Sequence, residues 1–166
     1  QRKAIPNSDT VVKVNLRLCL DSILIANLTY QKITTLKNTA FDQSNEEHVY
    51  LLNSLWSNLF PDKRRKSNDI ICDDWTEIGF QNRNPVTDLR GMGILSLVFL
   101  HNFTKNYNSQ SRSLLLESLN PQRYFPFSAV GLNLASFIMD LLNETRLDTI
   151  IYDTNIPSVS VSVSSG

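Results

Sequence analysis

Histidine, cysteine and glycine are all scarce in this chain of 166 residues, and each scarcity removes a class of function. The two histidines, His48 and His101, have no cysteine or carboxylate beside them at metal-ligand spacing, so both read as structural and no metal is expected. The two cysteines, Cys19 and Cys72, form no C-x-x-C pair and are too few for a disulfide scaffold. They read as free thiols of a reducing compartment. With five glycines there is no glycine-rich phosphate loop, no dinucleotide fingerprint and no G-x-S-x-G elbow, and no cofactor is expected. Charge of one sign is missing too: 16 basic residues balance 16 acidic ones, against the basic excess of a nucleic-acid binder. Nor does any apolar run approach the roughly 20 residues that span a bilayer. The longest, Met92 to Leu100, reads as a buried helix. Sequons at Asn27, Asn102 and Asn143 are attributed to chance, Asn102 because its run should be buried. The chain opens on Gln1, so an upstream N-terminus is expected and the lack of a leader carries little weight.

What is present is a globular composition, 42% hydrophobic, arranged in helical patterns. From a cap at Ser8 or Asp9, Leu16, Cys19, Leu20, Ile23 and Leu24 follow helical spacing to about Tyr30, with continuation past Ile33. Ser44-Asn45-Glu46-Glu47 fits a capping box ahead of Leu51, Leu52, Leu55, Trp56 and Leu59, and Pro61 ends that helix. The charged run Asp62 to Lys66 is expected to be a solvated loop. Asp73 and Asp74 suit the start of a short turn that Gly79 breaks. Thr87 or Asp88 then caps a helix from about Leu89 to Asn106, apolar nearly all round and so placed in the middle of a bundle. Further helices are expected at about 111–119 and 128–142, a short piece near 147–152, and a disordered Ser/Val tail over 156–166. The sum is an all-α, single-domain helical bundle over residues 1–155 with a central buried helix.

Three of the five glycines, Gly79, Gly91 and Gly93, fall within fifteen residues, which marks one place of specialised backbone geometry. On this reading Arg90 sits in the first turn of a helix, where the macrodipole disfavours a cation. Gly91 and Gly93 weaken the same turn by roughly 1 kcal/mol each relative to alanine. Two readings remain open. The turn is an anion-binding corner suited to phosphate, or Arg90 pairs with Asp88 while the glycines admit a neighbouring helix.

As a string, Trp75 to Gly93 reads W-x3-G-F-Q-x3-P-x-T-D-x-R-G-x-G and resembles the signature of the ELMO (engulfment and cell motility) domain. Leu51-Leu52 to Leu55-Trp56 upstream and Phe125-Pro126-Phe127 to Asn133 downstream resemble two flanking blocks of that family, so the likeness covers about 45–150. Leu89 stands where the family often has Phe. The resemblance implies a GTPase activator for Arf- and Arl-type small GTPases in their GTP-bound form, from the family's stand-alone branch, with Arg90 as the catalytic residue. It implies that Thr87 and Asp88 orient the arginine's turn, that Gly91 and Gly93 permit close approach, and that Trp75 and Phe80 pin the loop. Gly79, Gln81 and Pro85 complete the partner-binding or loop-organising set. The other branch implies a non-catalytic scaffold that joins a Dock-type exchange factor. Either way the expected setting is cytoplasmic, with membrane contact only through the GTPase.

Overall fold

Helical segments alternate with breaks marked by proline, glycine and asparagine, and the structure, a computed structural model that describes residues 7–147 and 150, follows those breaks. The helices are α1 (Asn7–Asn38), α2 (Glu46–Leu59), α3 (Asp74–Glu77), α4 (Gly93–Asn106), α5 (Asn108–Ser118) and α6 (Phe127–Asn143). A 3-10 turn, Pro85–Leu89, precedes α4. No strand occurs among the described residues, so the fold is all-α as expected. The piece expected at 147–152 lies mostly outside the described residues, and the Ser/Val tail lies wholly outside them.

The described residues divide into two compact units, Ile33–Asp140 on the one hand and those within Gln1–Lys32 and Leu141–Gly166 on the other. In the second of these, α1 carries exposed Leu16, Leu20, Ile23, Leu24 and Leu28, and Tyr30 donates a hydrogen bond to Asn143 at 3.3 Å. α1 begins at Asn7, just before the expected cap, and runs on through Ile33 to Asn38.

The unit Ile33–Asp140 is built on α4. The helical spacing of α2 turns Leu52, Leu55, Trp56 and Leu59 inward against Ile94, Leu97 and Leu100 of α4, with Leu115 of α5 closing the core. Burying each such aliphatic side chain stabilises the fold by about 1.5–3 kcal/mol. The two buried hydroxyls on α4 are satisfied locally: Ser96 donates to the Gly93 carbonyl and Thr104 to that of His101. Asn102 is exposed, contrary to expectation, because the helical turn that buries Leu100 and His101 carries it and Lys105 to the outer side.

Two local readings are corrected. The cap of α2 is Asn45, not Ser44: the Asn45 side chain accepts from the amides of Glu47 and His48, while the Ser44 hydroxyl donates to Asp42. The asparagine stands one residue nearer the first turn and reaches both amides. The basic run is also not a freely solvated loop. Arg65 is nearly buried, its guanidinium lying 4.2 Å from the Trp75 ring centroid, with Nε 3.9 Å from the buried Asp74 carboxylate. It also donates to Asn53 and to the Asp69 carbonyl. Lys63 and Lys66 both pair with Glu77. The bond from Lys63, foremost, holds the Glu77 carboxyl below its ordinary range. The loop is thus tied down through three of its four cations.

Candidate functional site

Trp75 is the fixed point from which the site is built. It is fully buried, donates from Nε1 to the Ile70 carbonyl at 2.7 Å, and meets Trp56 and Phe80 edge-on at centroid distances of 6.3 and 6.0 Å. Phe80, also buried, donates its amide to the Trp75 carbonyl. Between them Gly79 takes φ +86°, and a Cβ there would stand 2.4 Å from the Phe127 nitrogen. The amides of Ser128 and Ala129 in the first turn of α6 donate to the carbonyls of Ile78 and Gly79. The sequence blocks around Trp75 and Phe127 therefore meet backbone to backbone.

Past Phe80 the chain surfaces. The exposed Gln81 donates its amide to the Asp88 carboxylate at 2.8 Å, and Thr87 donates to Asp88 and to the Asn84 carbonyl. Asn84 caps the 3-10 turn by accepting from the Val86 amide, and buried Pro85 opens that turn with its φ already set. Leu89 is buried at the end of the turn, so Leu in place of the family's Phe still fills the core.

Arg90 follows as the residue that closes the 3-10 turn, with ordinary right-handed backbone angles, and its side chain is exposed. The expectation that Arg90 stands in the first turn of the long helix is therefore corrected: α4 starts at Gly93. The boundary falls later because Gly93 adopts φ +51°, which breaks the helix ahead of it. The anion-binding corner goes with it. The α4 start faces carbonyl oxygens of Leu36, Lys37 and Thr39, and the Ile94 amide donates to Thr39 at 2.8 Å. Nor does Arg90 pair with Asp88, whose carboxylate serves Gln81 and Thr87; among the described residues no hydrogen bond or ion pair engages the guanidinium. The glycines divide. Gly93 admits the end of α1, whereas Gly91 is exposed with nothing within 4 Å of the position a Cβ would take.

Arg90 borders a cleft of about 240 Å³ lined by Lys37, Asn38, Ala40, Phe41, Val86, Leu89 and Gly93 as well. The site residues named from sequence thus form one continuous run from a buried anchor to an exposed arginine. Sequence reasoning missed Arg65 and Asp74, which brace Trp75, and Lys37, which faces the cleft. No pattern distinguishes Arg65 from its basic neighbours, and Lys37 lies far upstream of the motif. No cluster of metal-binding side chains occurs among the described residues, and no described helix is long and apolar enough to cross a membrane.

Comparison with known proteins adds a second line. The ELMO/CED-12 family model matches residues 31–162. The chain is similar to human ELMO domain-containing protein 2, 35% identical over 148 residues that cover 89% of this chain and 50% of that protein. It is likewise similar to ELMO domain-containing protein B of Dictyostelium discoideum, at 32% over 136 residues, covering 82% and 47%. Bovine ELMO domain-containing protein 1 is 28% identical, covering 92% of this chain and 51% of that protein. The chain spans about half the length of the curated relatives it matches. No solved structure gives a significant match.

Proposed function

Since the chain belongs to the ELMO/CED-12 family, we propose that it is a GTPase-activating domain for an Arf- or Arl-type small GTPase in its GTP-bound form, with Arg90 entering the partner's active site. Family membership supports a role in small-GTPase signalling. The observation that carries the finer reading is the exposure of Arg90, without any partner among the described residues, beside the open Gly91. A guanidinium in that state keeps its donors for an incoming phosphate, and an absent side chain next to it lets another surface come close.

In this mechanism the GTPase contributes its own magnesium ion, phosphate loop and water-positioning residue. Arg90 contributes positive charge where negative charge builds on the transferring phosphoryl group. Such an arginine accelerates hydrolysis by roughly 10³–10⁵, or about 4–7 kcal/mol. Asp88 and Thr87 hold the preceding turn, and Leu89 and Gly93 fix it on both sides.

The test is single-turnover GTP hydrolysis by Arf- and Arl-type GTPases with and without the domain. The expected result is acceleration of at least one of them, abolished by Arg90→Lys with the thermal melt unchanged. Full activity of the lysine variant rules out the catalytic role. Binding without any acceleration across the panel points instead to the non-catalytic scaffold role.

A further inference from the structure

The cleft beside Arg90 holds a second cation that the mechanism above leaves unused. Lys37, half-buried in the last turn of α1, lines it together with apolar Phe41, Val86 and Leu89. Both charged residues in the lining are cations, and no carboxylate lines the cleft. The acids that adjoin these segments in sequence are turned to backbone amides, Asp42 to that of Ser44 and Asp88 to that of Gln81. Neither Lys37 nor Arg90 has a hydrogen bond or ion pair from its side chain among the described residues. Lys37 does gain from standing at the negative end of α1, which explains a cation at that terminus but not the apolar side chains that share the cleft with it.

We infer that this cleft is an affinity site for a loop of the partner that presents one aliphatic or aromatic side chain next to a carboxylate. The apolar side chain seats on the half-buried Phe41 and Val86, and the carboxylate pairs with Lys37. A phosphate alone would satisfy the charge and leave the apolar side chains uncovered; an acidic-apolar loop matches both. The inference rests on the GTPase reading for the identity of the partner. Lys37 is then a positioning residue that sets affinity, whereas Arg90 sets rate.

The decisive measurement is the Kd of Arf- and Arl-type GTPases loaded with a non-hydrolysable GTP analogue, for the domain and its Lys37→Glu, Lys37→Arg, Val86→Asp and Arg90→Lys variants. Loss of a charge-assisted contact predicts that Lys37→Glu weakens binding about tenfold or more. Lys37→Arg keeps the charge and is expected to stay within about threefold. Val86→Asp should weaken binding comparably to Lys37→Glu. In hydrolysis assays the Lys37→Glu loss should appear in the half-saturating concentration and not in the saturating rate. Undiminished binding by a folded Lys37→Glu domain overturns the inference even if Arg90 proves catalytic, and so does a panel in which no GTPase binds. Lys37-dependent binding with no acceleration leaves the inference standing while the catalytic reading fails.

Discussion

Of the three glycines within the motif, two are held by their backbone and one is free, and alanine substitution separates the pair from the third. At Gly79 and Gly93 the backbone is left-handed, and an added Cβ runs into fixed backbone atoms 2.4 Å away in each case. Gly79→Ala and Gly93→Ala should each destabilise by at least about 1–3 kcal/mol from backbone strain alone. Gly91 has neither constraint, so Gly91→Ala should leave urea-unfolding stability unchanged or slightly raised. If all three alanines cost the same, the assignment of distinct roles is wrong. The glycine cluster was legible in the sequence as a site of special geometry, but the division of labour was not. Nothing local says which glycine meets the end of a helix more than fifty residues upstream.

Among the elements, the segment between α2 and α3 departs furthest from its sequence appearance. A run of lysine and arginine after a proline looks solvated because composition cannot show that one guanidinium folds under the others onto an indole. Arg65 stacks on Trp75 and stands beside a carboxylate with 1% of its side-chain surface exposed. Arg65→Ala removes the cation beside Asp74, whose carboxylate keeps the Lys66 amide and the Cys72 thiol, and should cost about 1–3 kcal/mol. Asp74→Asn should offset part of that loss in the double variant, a coupling measured by a double-mutant cycle in urea. Additive losses would show that the two do not act together. The long helices, by contrast, were readable almost to their ends, since α2 and α6 carry apolar periodicity over several turns. Boundaries failed where a neighbouring residue type was equally eligible: Asn45 for Ser44 at one cap, and Gly93 for Leu89 at the start of α4.

For the whole molecule, balanced charge means that no large self-repulsion sets the pH dependence of stability, so single buried groups are visible in it. His101 is such a group. Its Nε2 lies 3.1 Å from the Ser54 hydroxyl, its ring faces Tyr50, and burial, aided by Lys105, lowers its pKa from the ordinary 6.5 against an opposing hydrogen bond to Asn102. A depressed pKa means that the unfolded chain takes up the proton first. The stabilisation is complete above 6.5 and is lost as pH falls through the lower folded value. Unfolding free energy should therefore decline on acidification from just above 6.5, before the carboxylates titrate, and His101→Gln should flatten that limb. A wild-type profile flat over that interval would show that His101 is not charged by unfolding.

The family match begins at residue 31, well ahead of the signature run, and the meeting of Gly93 with the carbonyls of Leu36, Lys37 and Thr39 gives a physical meaning to that reach. The exposed arginine is strung between a buried leucine on one side and this carbonyl seat on the other. The same tether makes the motif non-portable: a fragment from Trp75 through Gly93 carries every signature residue yet lacks the seat that holds its last one. Transplanting the arginine into another scaffold would require carrying over the end of α1 as well.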